Sequence, residues 1–266
     1  MKRNVIIGIG VVLVIFFFIF VFRKNQSPSR TSPESVQQWY EQALNFRKDG
    51  ELLKAKEIYQ KILAEHPDFQ DIEKIQKELG DVNMAIIFSN APTPNSVIYE
   101  VQPGDSIAKL AQKYKTTMDL IKKDNHLSGD VIRAGQKLRI WTGEFNVFVD
   151  KSQNVLLLKE GDEVVKVYQV STGANNSTPV GEFKIVNKLV DPVWFNRGAV
   201  VPPESPANVL GSRWLGFDIP GYGIHGTIEP QTIGQQVTAG CVRMTKQDVE
   251  EIYTLLPVGT KVTIVD

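Results

Sequence analysis

The chain offers one thiol for covalent chemistry. Cys241 is its only cysteine, and His225, the last of its three histidines, lies sixteen positions earlier. A thiol becomes a useful nucleophile when an imidazole takes its proton, because the thiolate attacks carbonyl carbon and the thiol hardly does. Both residues stand beside glycine, in Ile224-His225-Gly226-Thr227 and in Ala239-Gly240-Cys241-Val242-Arg243-Met244. Glycine lets a backbone approach a substrate closely. The plain alternative is a small buried apolar side chain and a hydrogen-bonded core imidazole, and the rest of the chain has to decide between them.

Composition narrows the classes. The chain has 266 residues, 42% of them hydrophobic, with 30 basic and 30 acidic side chains. That length suits two or three modules with real cores. Residues 1–30 carry five Lys or Arg and no acid, and the segments after them carry no basic excess. A nucleic-acid footprint is therefore not expected. A single cysteine excludes an internal disulfide and a cysteine-based metal cluster, and no metal or organic cofactor is implied.

The modules that must position the pair follow in order. Residues 5–22 form an unbroken apolar run of eighteen, flanked by Lys2-Arg3 and Arg23-Lys24. This is just long enough to cross a bilayer, and no small-residue cleavage site follows it. An uncleaved transmembrane anchor over 1–23 is expected, with the body on the extracytoplasmic (periplasmic) side of the cell envelope. Residues 24–35 are polar and proline-bearing and read as a linker. Over 36–88 helical periodicity sets in. Trp39, Ala43, Phe46, Ala55, Tyr59, Ile62 and Pro67 resemble one tetratricopeptide (TPR) unit with its turn at Asp49-Gly50, followed by a third helix. One repeat is too little for a solenoid. A helical spacer, or a docking surface for a protein partner, is expected.

Residues 89–96 (Ser, Asn, Ala, Pro, Thr, Pro, Asn, Ser) form a second linker. Over 97–142 a strand, two short helices and a strand are expected. Ile107, Leu110, Ala111 and Tyr114 give the first helix its apolar face, Met118, Leu120 and Ile121 mark the second, and 132–140 returns as a strand. The run Tyr99-x-Val101-x-Pro103-Gly104-Asp105-Ser106, then Asn125-His126-Leu127 and Ile132-x-x-Gly135-Gln136-x-Leu138, resembles a LysM domain. That resemblance implies a βααβ module that binds N-acetylglucosamine-containing glycan. Gly104, Asp105 and Ser106 in one loop, with Asn125 and Leu127 in the other, would hold the sugar.

Residues 144–266 are mainly β. Strands are expected at 145–150, 155–159, 164–171 and 261–265, and Thr245 caps one clear helix with Val249, Ile252, Tyr253 and Leu256 on its buried stripe. The glycines and prolines between 202 and 223 read as long loops decorating the sheet. The proline-rich stretch 200–210 is expected to border the cleft.

Six separated motifs then resemble the YkuD-type L,D-transpeptidases. They are Thr178-Pro179-Val180-Gly181-Glu182-Phe183, Asp191-Pro192-Val193-Trp194, Leu210-Gly211-Ser212-Arg213-Trp214-Leu215-Gly216, the His225 motif, Ile233-Gly234 and the Cys241 motif. Ala239 stands where many members carry a second histidine. The resemblance implies that Cys241 attacks the carbonyl between diaminopimelate and D-alanine of a peptidoglycan stem peptide. His225 would move the proton, oriented through the Gly226 carbonyl, and backbone N–H groups at Gly240 and Cys241 would hold the oxyanion. Arg243 could clamp a substrate carboxylate, or form a structural ion pair behind the site. Trp214 and Tyr222 would line the cleft, and Ser212, Thr227 and Thr238 would orient His or Cys by hydrogen bonding. The reading that follows is a membrane-anchored peptidoglycan L,D-transpeptidase that cross-links stem peptides with release of D-alanine. Its alternatives are an L,D-carboxypeptidase or stem-peptide hydrolase on the same site, and a non-catalytic wall-binding scaffold.

Overall fold

A computed structural model describes residues 33–196 and 198–266. The apolar run 5–22 lies outside them. Among the described residues no helix is long and apolar enough to cross a membrane. The chain divides into two compact units that meet at residues 86 and 87.

The first unit is three helices: α1 (Pro33–Lys48), α2 (Leu52–Glu65) and α3 (Ile72–Ile87). Gly50, at φ +79°, makes the turn between α1 and α2 in a conformation that favours glycine. Ala43 and Ala55 are fully buried small residues beside Tyr59 and Ile62, with Trp39 and Phe46 packed against them. Small residues packed against large ones hold α1 and α2 together as a helical hairpin.

The second unit holds the LysM-like module and the β-rich domain. In the module, β1 (Ser96–Glu100) pairs antiparallel with β2 (Lys137–Trp141), and α4 (Ile107–Lys113) and α5 (Met118–Asp124) lie between them in sequence. Ser106 and Thr117 cap the two helices by accepting from Lys109 N–H and Leu120 N–H. The returning strand is shorter than expected, because the Gln136 N–H bonds back to the Arg133 carbonyl and Gly135 sits at φ +83°. Residues 132–136 are thus a turn. Arg139 is buried against Asp124 at 2.8 Å and also donates to the carbonyls of Ile87 and Ser89. It fastens the incoming linker to the module.

The β-rich domain is built on one eight-stranded mixed sheet. Its strands are β3 (Phe145–Asp150), β4 (Val155–Glu160), β5 (Glu163–Gln169), β7 (Gly181–Val190), β10 (Arg213–Phe217), β11 (Gly223–His225), β13 (Val242–Arg243) and β14 (Lys261–Val265), in the order β13-β11-β10-β7-β14-β3-β4-β5. Four short strands lie outside it: β6 (Thr172–Gly173) pairs with β12 (Gln236–Thr238), and β8 (Trp194–Asn196) forms a hairpin with β9 (Ala199–Val201). The helix α6 (Lys246–Leu255), capped by Thr245, packs on β10 and buries Val249, Ile252 and Leu255. Each such aliphatic side chain removed from water contributes about 1.5–3 kcal/mol before entropy is counted.

The stretch 202–223 forms the expected loops at 202–212 and 218–222, but between and after them it folds into β10 and the start of β11, which carry the site. A Cβ at Gly216 would lie 2.6 Å from Trp214 Nε1, and one at Gly223 would lie 2.5 Å from the Leu215 carbonyl oxygen. Glycine marks close packing there.

Candidate active site

His225 ends β11, and β13 runs parallel beside it, with Ile224 opposite Val242 and His225 opposite Arg243. Cys241 immediately precedes β13. The sheet therefore brings together two residues that sequence places sixteen apart, and both line one cleft of about 390 Å³ with Thr238, Ala239, Trp214 and Arg243. Met244 N–H donates to the His225 carbonyl at 2.9 Å and locks the alignment.

The imidazole is buried, and its Nδ1 lies 2.6 Å from the Gly226 carbonyl oxygen. A carbonyl only accepts, so Nδ1 carries the hydrogen and Nε2 is left with the free lone pair. Burial pushes the imidazole down to about 4. The Gly226 carbonyl works against that shift, the Arg243 charge adds to it, and the Leu210 carbonyl also opposes it. Trp214 stacks on the ring at 6.1 Å between centroids and an interplanar angle of 21°. Its own N–H is spent on Asn187 Oδ1 at 3.0 Å.

The Cys241 sulfur lies 3.5 Å from the Gly221 carbonyl oxygen, to which the thiol donates. Burial pushes the thiol up to about 11, opposed by the Gly223 backbone amide and by the Arg243 charge. At neutral pH the resting pair is thus thiol and neutral imidazole.

Thr238 orders the turn into the cysteine. Its hydroxyl donates to the Cys241 carbonyl at 2.7 Å and accepts from Gly240 N–H at 3.1 Å. That second bond changes one expectation. The Gly240 N–H is already engaged and is not free to hold an oxyanion. Gly240 instead serves by lacking a side chain: at φ +130°, a Cβ would lie 2.6 Å from Tyr222 Cε1 and 3.1 Å from the Ser177 carbonyl oxygen. Tyr222 packs against this glycine and is not among the residues lining the cleft. Thr227 also stays outside, its hydroxyl accepting from Glu229 N–H at 2.9 Å. The Ser212 hydroxyl is buried with no hydrogen-bond partner among the described residues.

Arg243 reaches the cleft but is partly committed elsewhere. Its Nη1 donates to Glu229 at 3.2 Å and to Thr232 Oγ1 at 3.0 Å, while Nε is buried without a partner among the described residues. The ion pair is the structural arrangement that sequence left open beside the clamp.

The rest of the lining is mostly apolar. Pro192, Val193 and Trp194 of the second family motif line the cleft, and sequence reasoning missed their neighbours Leu189, at the end of β7, and Phe195, in β8. Val209 and Leu210 also line the cleft, as expected for the end of the 200–210 stretch.

The sugar loops of the LysM-like module sort differently from the expectation. Asn125 spends its side chain internally, donating to the carbonyls of Ile121 and Arg139 at 2.8 and 2.7 Å and accepting from Arg139 N–H at 2.7 Å. The Asp105 carboxylate accepts from the Tyr99 hydroxyl and from Gln102 N–H, both at 2.8 Å. Ser106 is the helix cap, and Leu127 packs against the module core. Gly104 is exposed, with φ +88° and open space where a Cβ would be.

Comparisons with known proteins agree with this geometry. A family model described as the L,D-transpeptidase catalytic domain (YkuD) matches residues 144–264, and a LysM domain model matches residues 99–141. The putative L,D-transpeptidase YkuD of Bacillus licheniformis is 33% identical over 176 residues, covering 63% of this chain and 98% of that protein. The putative L,D-transpeptidase YqjB of Bacillus subtilis is 38% identical over 130 residues, covering 47% and 73%. YkuD of Bacillus subtilis is 30% identical over 173 residues, covering 62% and 97%.

Proposed function

The chain belongs to the L,D-transpeptidase family, and on that premise we propose how it cross-links peptidoglycan. The carrying observation is the single cleft that Cys241 and His225 share, with Nδ1 of the imidazole engaged by Gly226. Nε2 takes the proton of the Cys241 thiol as sulfur bonds to the carbonyl carbon between diaminopimelate and D-alanine. The Cys241 N–H receives the resulting oxyanion. His225 returns the proton to the departing amine, D-alanine leaves, and a thioester remains. The amine of a second stem peptide attacks the thioester and gives its proton to His225, which restores the thiol. One group with a free Nε2 serves both halves of the cycle.

The apolar side chains among those lining the cleft support amine over water as the acceptor, since excluding water slows hydrolysis of the thioester. The LysM domain supports docking on wall glycan, through Gly104 and the backbone of its two loops more than through Asn125. The apolar run 5–22 supports a membrane anchor, with 24–35 as tether and the body in the envelope outside the cytoplasm. The helices over 36–88 serve as spacer or as a partner's docking surface.

Mass spectrometry of products from tetrapeptide-bearing muropeptides tests this, with residues 31–266 and its Cys241→Ala variant. The expected product is a cross-linked dimer that has lost D-alanine and is absent with the variant. Tripeptide alone would make the enzyme a carboxypeptidase, and retention on wall without reaction would make it a binding protein.

A further inference from the structure

The LysM domain does not hang from the catalytic domain by its chain alone. One face of the module is fastened at several points. Lys115 pairs with Glu144 at 2.6 Å, Asn95 donates to Glu160 at 2.8 Å, and the Thr117 hydroxyl donates to the Thr254 carbonyl at the end of α6. Trp141 stacks on Phe145 with centroids 6.0 Å apart and rings 6° from parallel. Lys188 of β7 donates to the Tyr253 carbonyl at 2.6 Å and lies 4.1 Å over the Tyr253 ring, within the field of Asp119 on α5.

The two sugar loops lie off this face. Gly104, Ser128, Gly129 and Asp130 are exposed, and a Cβ at Gly104 or Gly129 would meet nothing within 4 Å. Lys122 ties the second loop to the fastened face, with Nζ 3.0 Å from Asp130 and 3.5 Å from Asp119. On the catalytic side, Lys188 precedes Leu189, which lines the cleft. The fastened face thus joins the second sugar loop, through Lys122, to the catalytic domain, through Lys115 and Thr117.

We propose that this interface fixes the offset between the LysM sugar loops and Cys241, so that the preferred substrate is a stem peptide on a glycan strand held by the same molecule. A free muropeptide satisfies only the cleft. A flexible tether would raise local concentration without choosing among neighbouring stems, whereas a fixed offset presents one stem in reacting geometry. Lys188 is a positioning residue in this arrangement, because it touches the LysM-facing side of α6 and not the reacting atoms. The inference rests on the transpeptidase reading above.

The test compares two substrates: a disaccharide tetrapeptide, and glycan chains several disaccharides long bearing the same stems. The variants are Lys188→Met, which removes the charge and donor, and a flexible glycine-serine insertion after Gly143 combined with Lys115→Ala and Asn95→Ala, which loosens the link and removes two of the fastening contacts without altering either site. Both should turn over the disaccharide within about twofold of wild type and keep wall retention, while losing about tenfold or more on the chains. Unchanged turnover of the chains by the insertion variant would overturn the inference, and so would an equal loss on both substrates. If Lys188→Met does not fold, the insertion alone decides. A wild-type protein inert on both substrates would sink the transpeptidase reading itself, and the inference with it.

Discussion

His225 and Arg243 are direct register partners across the parallel β11–β13 ladder, so a base and a fixed cation stand side by side on adjacent strands. The guanidinium disfavours imidazolium and favours thiolate, so its effects on His225 and Cys241 oppose each other in a proton transfer between them. Glu229 tempers that charge from the far side.

Replacing Arg243 with Gln should therefore raise the His225 pKa. NMR titration of the imidazole carbons reads this directly. An unchanged or lower value would mean that the charge is neutralised before it reaches the ring.

The buried imidazole should make the fold acid-sensitive. Its pKa is held at about 4 against an ordinary 6.5. Between those values the unfolded chain binds a proton that the folded chain refuses, so stability present above pH 6.5 falls as pH drops toward 4. The loss from this one group is about 3 kcal/mol. Urea unfolding at pH 7 and pH 4 should show a loss smaller by about that amount in His225→Gln than in wild type.

Gly240→Ala should fail twice. The left-handed backbone costs about 1–3 kcal/mol for a residue with a Cβ, and the new methyl displaces Tyr222. Calorimetry should show a clear fall in Tm together with lost transpeptidation. A variant as stable as wild type would mean that the turn adjusts freely.

Asn125→Ala should destabilise the LysM domain without touching its sugar contacts. Three hydrogen bonds to backbone disappear, worth about 1–3 kcal/mol or more once Arg139 N–H is left unpaired. Denaturation should show the loss, and glycan binding below the unfolding temperature should be unchanged. Weakened binding by a fully folded variant would return Asn125 to the sugar site.

Much of this fold was legible in sequence where local signals agree with the final packing. The Thr245 cap and the stripe Val249, Ile252 and Tyr253 give α6 its limits, and Lys261 to Val265 alternates like the strand it is. The candidate pair stood out because a lone thiol, a lone histidine after residue 126 and their glycines occur in a family's order, and the structure puts both in one cleft. β10 and β11 were not, since Gly216 and Gly223 read as loop residues, while in the fold they admit Trp214 and the neighbouring strand. The Thr238 bond to Gly240 N–H was also hidden. A hydroxyl's choice between two partners depends on a turn geometry that no residue type specifies.

The linker clamp has a mechanical consequence. Ser96, where the chain enters the LysM domain, is the cross-strand partner of Trp141, where it leaves. Tension between the preceding segment and the catalytic domain would thus peel β1 from β2 one bond at a time, the weakest direction in which to load a strand pair. Arg139 intercepts that load by gripping the Ile87 and Ser89 carbonyls ahead of the first strand bond. A stretched wall would then strain a buried guanidinium before it strained the sheet that aligns His225 with Cys241.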